Sequence, residues 1–340
     1  MSSFDPKNII FKNILAGFAY KFFAKKPYIF EKNRLLTVSG KSAIFLILKF
    51  LKQKKYIENK TSPIFVPKWM GYYIYNVMQE ICSPSYSFNK DVKIYYSYHQ
   101  FGYPQNMDKT LEFCKRKKLI LVEDCAHALK TFYKNKQVGS FGDFSLFSFS
   151  KFLYCHSLGA VTINKSIWKK DFVKLYKNEI NNSSYIIALL ICFQKFLTTL
   201  YPSSKSFQKT NKIFYNLYVN NPAFIKNSVF LLEKSFKSEI IKREKYYKKL
   251  LKEFSQYSVF DHLKKKGESV VPWAIPLIAK KNMDKINKEL NSYGIQSGFY
   301  NFDTNRFAVK PNFKKSLMLP INFEYNHQFE QMMDIIKKNL

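Results

Sequence analysis

Three short stretches carry side chains whose types and setting could do chemistry. In FSFSKFLYCHSLGAV, residues 147–161, one lysine, Lys151, stands between Phe149-Ser150 and Phe152-Leu153. A lysine held among aromatic and aliphatic neighbours is partly stripped of water, which lowers its pKa and leaves amine free to attack a carbonyl. The plain alternative is a side chain that snorkels from a strand end. In LILVED, residues 119–124, an apolar strand pattern ends in two acids. Ligands of open α/β sheets gather at the carboxyl ends of the strands, so Asp124 is placed either for a ligand or to cap a helix starting at Cys125. In SGKSA, residues 39–43, Ser39, Gly40, Lys41 and Ser42 open an apolar helix, and N–H groups at such a start suit a phosphate. A nucleophilic lysine, a strand-end carboxylate and a phosphate-holding helix start are together the parts a protein supplies to pyridoxal phosphate.

The elements that must position these groups follow from periodicity. Short apolar runs alternate with longer amphipathic ones through the first half, the pattern of βα units around a largely parallel sheet. A helix is expected at 43–52, a strand at 62–67, and a helix at 107–118 with Met107, Leu111 and Cys114 on one face. Strands follow at 119–124 and 159–164, with a hairpin-like YKNKQVGSFGD between them. The spacing of Phe224, Val229, Leu232, Phe236, Ile240, Ile241 and Tyr247 predicts a long helix from 224 to about 255, and the remainder reads as a small α+β unit. The chain thus divides into 1–227, a large cofactor-binding domain, and 228–340, a long linking helix with a small C-terminal domain.

Composition narrows the partners. The 340 residues carry a formal charge of +32, but only four of the 56 basic residues are arginine. Nucleic-acid recognition leans on the bidentate guanidinium, so the charge reads as background that still attracts phosphorylated small molecules. Five scattered cysteines suit a reducing, cytoplasmic setting and give no zinc framework. The N-terminal 23 residues alternate lysines with aromatics and do not read as a secretion signal. The most apolar window, 183–201, has an uninterrupted run of nine residues, Tyr185–Phe193. That is short of the ~20 needed to span a bilayer; it reads as a buried or interface helix, with a membrane-surface contact as the alternative.

Order and spacing bring out a resemblance. YYSYHQFGYPQNMDKTLEFCKRKKLILVEDCAHAL and QVGSFGDFSLFSFSK, followed by SLGAVTIN, resemble the segments of the DegT/DnrJ/EryC1/StrS aminotransferases. SGKSAIFLIL, IFVPKW, SEIIKREKYYKKL and LMLPINFEYNHQFEQMMDIIK extend the likeness over most of the chain. The resemblance implies fold-type I, with a large, mostly parallel seven-stranded sheet flanked by helices and a small C-terminal α+β domain. It implies that Lys151 forms the Schiff base with pyridoxal 5'-phosphate and moves protons. Asp124 would face the pyridine nitrogen, His127 the ring, and Ser148, Gly40, Lys41 and Ser42 the phosphate, with Trp69 as an aromatic near the ring. The chain departs from the pattern where only Ser150 separates FSF from the lysine and where His156-Ser157-Leu158-Gly159 replaces a glycine-rich loop.

The activity implied is transfer of nitrogen from a donor such as glutamate to a keto-sugar, nucleotide-linked or lipid-linked, in surface polysaccharide or related biosynthesis. A homodimer is implied too, with Asn220 or Asn221 of one copy reaching the other's phosphate site. Against it stands a catalytically altered member that acts by binding or regulation.

Overall fold

The computed structural model describes residues 34–193 and 219–340 apart from 154, 156, 185, 192, 225 and 324. The N-terminal segment, His156 and most of the second half of the 183–201 window therefore lie outside the described residues. In chain order the strands of the first part are β1 (Arg34–Thr37), β2 (Pro63–Phe65), β3 (Ser83–Ser85), β4 (Ile94–Tyr98), β5 (Ile120–Asp124), β6 (Phe132–Tyr133), β7 (Lys136–Gln137), β8 (Phe144–Ser148) and β9 (Gly159–Ile163). Seven of them form one sheet in the order β1-β9-β8-β5-β4-β2-β3, with β9 antiparallel to both of its neighbours and the remaining pairs parallel. β6 and β7 pair as the hairpin expected between Lys151 and LILVED, and join β10 (Glu268–Ser269).

Helices α1 (Gly40–Gln53), α2 (Tyr72–Gln79), α3 (Met107–Lys117) and α4 (Ser166–Asn181) accompany this sheet. α1 packs Ala43, Ile44, Ile47, Phe50 and Leu51 against Val122, Phe144, Leu146 and Val161 of the central strands. Burial of these apolar faces fixes the helix start over the strand ends, with each large side chain contributing roughly 1.5–3 kcal/mol. The buried stripe of α3 is Met107, Thr110, Phe113 and Cys114, whereas Leu111 is exposed. The helical period brings Thr110 and Phe113 inward, and the aromatic ring rather than Leu111 fills the space against Tyr95 and Phe88.

α5 (Lys226–Glu253) is the long helix expected from 224 to 255; Val229, Leu232, Ile240 and Tyr247 are buried on it, while Ile241 is exposed. It leads to a three-stranded antiparallel sheet of β11 (Ala274–Leu277), β13 (Phe313–Pro320) and β12 (Gly298–Asp303), in that order. α6 (Met283–Ser292) and α7 (Asn326–Asn339) complete this α+β part around Leu290, Leu317, Leu319, Phe329 and Ile336. No described helix is long and apolar enough to cross a membrane. Cys82, Cys114, Cys125 and Cys155 are buried thiols without a disulfide among them.

Candidate active site

Asp124 is the last residue of β5, 4% exposed, in register with Tyr98 of β4. The alternation of IYYSY turns Tyr96 and Tyr98 to the face that carries Asp124. Tyr96 Oη donates to Asp124 Oδ2 at 2.6 Å, and the Ala126 N–H donates to Oδ1 at 2.8 Å. Residues 125–129 form turns rather than a helix, so Asp124 closes a local turn and does not cap a helix. Burial raises the Asp124 pKa, while Tyr96, the Ala126 N–H and the Lys151 charge pull it down. A carboxylate accepts about four hydrogen bonds, so Asp124 retains capacity for a further donor.

His127 lies on the following turn, buried, with Nδ1 2.6 Å from Tyr98 Oη. Burial and then the Lys151 charge push its pKa well below the ordinary histidine value. The ring is therefore neutral, and Nδ1 accepts the Tyr98 proton. Trp273, directly before β11, lies flat on the ring at 4.1 Å between centroids and 7° between planes.

Lys151 ends a 3-10 turn, Phe149–Lys151, that follows β8 directly. The residue reaches solvent, yet its Nζ is 5.6 Å from the Trp273 ring centroid. Desolvation lowers its pKa, with Asp124 opposing. β8 thus delivers the lysine beside the carboxylate at the end of adjacent β5.

The helix mouth expected to take a phosphate is built by α1, β8 and β9. Ser39 caps α1, accepting from the Ser42 N–H, and the Ser42 hydroxyl turns back to the Ser39 carbonyl at 2.9 Å and the Ser39 N–H at 3.1 Å. Ser42 therefore completes a capping box, and the groups of this turn that remain to face a phosphate are those nearer Gly40. A Cβ on Gly40 would sit 3.1 Å from Ser148 Cβ and 3.5 Å from its Oγ, so the Ser148 hydroxyl lies against the helix mouth. Lys41 places Nζ 4.7 Å from the Tyr73 ring centroid. Trp69 is 47% exposed and meets Phe313 edge-on at 6.5 Å. Asn221 is buried in its own chain, accepting from the Ser184 N–H.

Beneath the site, His99 and Glu123 are fully buried and 3.1 Å apart. His99 Nδ1 accepts from the Gln105 N–H, which puts the proton on Nε2, facing Glu123. Glu123 also accepts from the N–H groups of Gly139, Phe141 and Gly142. These two residues and Cys125 have ligand atoms close enough for a metal. With the carboxylate and both imidazole nitrogens already bonded to protein, the cluster is a brace for the β5 end. Gly102 belongs to the same brace: its φ is +98° and a Cβ there would meet the His127 carbonyl at 2.7 Å.

A carboxylate with spare acceptor capacity, an amine of lowered pKa beside it, and a glycine-opened helix mouth lined by a hydroxyl fit pyridoxal phosphate as a donor set. Tyr96, Tyr98, Trp273 and Arg243 also stand at or behind this site, and the sequence singled out none of them. The alternation in IYYSY was the available signal for the tyrosines; Trp273 and Arg243 arrive through tertiary contacts far along the chain.

Residues 91–184 match the sequence pattern of the DegT/DnrJ/EryC1/StrS aminotransferase family. The match covers about a quarter of the chain, and the fold as a whole is shared with solved aminotransferases of low sequence identity. Among curated relatives, the GDP-perosamine synthase of Escherichia coli O157:H7 is 47% identical over 51 residues, 15% of this chain. The match spans 14% of that relative's length, and 17% for the GDP-perosamine synthase of Vibrio cholerae, which is 39% identical over 61 residues, 18% of this chain. Among solved structures, a protein of Streptococcus pneumoniae described as a sugar aminotransferase, in its PLP form, superimposes with a TM-score of 0.67 at 15% identity over 96% of both chains. The E. coli GDP-4-keto-6-deoxy-D-mannose-3-dehydratase with bound hydrated PLP gives a TM-score of 0.66 at 16% identity, over 98% of this chain and 97% of that one.

Proposed function

We propose that the protein is a pyridoxal-phosphate-dependent aminotransferase that places an amino group on a keto-sugar carried by a nucleotide. The observation that carries this is the meeting of Lys151 and Asp124 at adjacent strand ends, one amine lowered and one carboxylate held by Tyr96. When bound, the cofactor supplies an electron sink that lets an amino group and a carbonyl exchange places. Lys151 would attach it and carry protons at Nζ. Asp124 would hold a proton on the ring nitrogen, His127 would orient the ring while remaining neutral, and Gly40, Lys41 and Ser148 would hold the phosphate at the helix mouth, where Ser42 is engaged in the cap. Trp69 would line the rim.

The GDP-perosamine synthases and the GDP-sugar dehydratase similar to this chain favour a GDP-linked keto-sugar as acceptor. Glutamate as donor, a cytoplasmic setting and a homodimer belong to the same proposal. The dimer is supported by the exposed Trp69, Tyr72, Ile186, Leu189 and Phe193. Purified protein given pyridoxal phosphate, glutamate and a panel of GDP-, UDP- and dTDP-linked keto-sugars should gain the visible band of a lysine-bound cofactor and yield an aminated sugar by mass spectrometry. Protein that stays colourless with added cofactor and transfers no nitrogen to any of the panel sinks the proposal.

A further inference from the structure

We infer that Arg243 and Trp273 are positioning residues that together aim the Lys151 amine, because between them they hold the two carbonyls that flank its exit from the 3-10 turn. This rests on the assignment of Lys151 to the proposed reaction. Among the described residues the turn closes on itself through Phe149, whose carbonyl accepts from the N–H groups of Phe152 at 2.9 Å and Leu153 at 3.1 Å. A single 3-10 turn leaves its last carbonyls without donors of its own. Both are supplied from the second part of the chain. Trp273 Nε1 donates to the Lys151 carbonyl at 2.8 Å, and an Arg243 NH2 nitrogen donates to the Phe152 carbonyl at 3.3 Å.

The same guanidinium also fixes the tryptophan. Its NH1 nitrogen donates to the carbonyls of Trp273 at 3.2 Å and Pro272 at 3.3 Å, while Nε donates to Glu239 at 2.8 Å. The Trp273 N–H donates to the Phe101 carbonyl at 2.8 Å, and its indole lies flat on His127. The backbone that presents the lysine is thus pinned to the ring that covers the histidine. Arg243 is 1% exposed on α5, with its guanidinium 4.9 Å from the Phe152 ring centroid. A methionine could fill that volume without the cost of burying a charge. What methionine lacks is a rigid fork of donors able to meet three carbonyls at once. Local backbone alone does not determine where Lys151 points; α5 and the bend that leads into β11 set it as well.

Trp273→Phe keeps an aromatic ring at this position while removing the N–H to the Lys151 carbonyl; Arg243→Lys keeps the charge and loses the fork. The measurement is competitive amine labelling of Lys151 in cofactor-free protein across pH, read by peptide mass spectrometry, beside thermal melting. The charged or titratable groups near the amine are Asp124 on β5 and His127 after it, with Tyr98 of β4 behind the histidine. Both variants should shift the labelling midpoint upward, toward an ordinary lysine, as the amine swings into water. Borohydride trapping of the lysine with pyridoxal phosphate should slow about tenfold or more. Wild-type labelling midpoints in Trp273→Phe, with only melting lowered, would mean that the arrangement merely glues elements together and would overturn the inference. If Arg243→Lys does not fold, Trp273→Phe decides. A wild-type protein that never traps the cofactor, yet whose labelling midpoint still moves in Trp273→Phe, refutes the enzymatic proposal and leaves the positioning intact.

Discussion

The Tyr96 hydroxyl stands 2.6 Å from Asp124 Oδ2, on the neighbouring strand and the same face of the sheet. That bond favours the ionised carboxylate, in opposition to the burial that raises its pKa. Tyr96→Phe removes it, so the Asp124 pKa rises further and the acid limb of the pH–rate profile moves to higher pH. A hydrogen bond to a charged group contributes about 1.5–3 kcal/mol, so kcat/KM on the acid side should fall roughly tenfold or more, with partial recovery at alkaline pH. A profile in which the acid limb keeps its position would show that Tyr96 does not tune Asp124.

Asp124 itself should separate stability from activity. Its pKa is raised in the folded protein, so between the unfolded and folded values the native state holds more protons than the unfolded chain. Stability therefore falls as pH rises through the folded pKa, and at neutral pH the buried charge is a cost. Asp124→Asn keeps an oxygen for the Ala126 N–H and offers its amide to the Tyr96 oxygen. The melting temperature of the cofactor-free variant at neutral pH should equal or exceed wild type, by about 1 kcal/mol at most. Amino transfer should drop about a hundredfold or more, because under the proposed assignment the ring nitrogen would lose its counter-ion. A variant that melts well below wild type at neutral pH would contradict this assignment of cost.

Glu123 is the acceptor for three backbone N–H groups and for His99 Nε2. Glu123→Ala leaves all four donors buried without a partner, which should cost about 3–5 kcal/mol in urea unfolding. A chelator should leave the melting temperature of the wild-type protein where it is. Melting that falls on chelation and returns with a divalent cation would instead make the cluster with Cys125 a metal site.

The parts of this site that were legible in the sequence are those fixed by local pattern. LILVED ends a strand because its apolar run is bounded by acids and a turn, and SGKSA starts a helix because Ser39 and Ser42 can cap it reciprocally. Lys151 follows FSLFS at the next strand's end for the same reason. Local pattern did not say that the Ser42 hydroxyl is spent on that cap, since a capping serine and a phosphate-binding serine look alike in sequence. Tyr96 and Tyr98 were hidden by abundance, being two of 24 tyrosines, although strand alternation points them at Asp124. Arg243 and Trp273 were illegible for a different reason. Their roles exist only after α5 and the bend before β11 pack against the turn some 91 and 122 residues away.

The helix mouth offers the last test. β9 runs so close to it that a Cβ on Gly159 would sit 2.4 Å from the Ser39 carbonyl carbon and 2.6 Å from the Gly40 nitrogen. Both obstacles are backbone, so no rotamer change relieves the clash, and either β9 or the start of α1 must move. Gly159→Ala should therefore cost about 2–3 kcal/mol. It should also weaken cofactor retention about tenfold, since the displaced N–H groups are those proposed to face the phosphate. Gly71→Ala is the control, because nothing lies within 4 Å of its added Cβ; its φ of −63° is open to alanine. Equilibrium unfolding and cofactor titration of the two variants side by side check the argument. Equal cofactor affinity in Gly159→Ala and wild type would place the phosphate away from this helix.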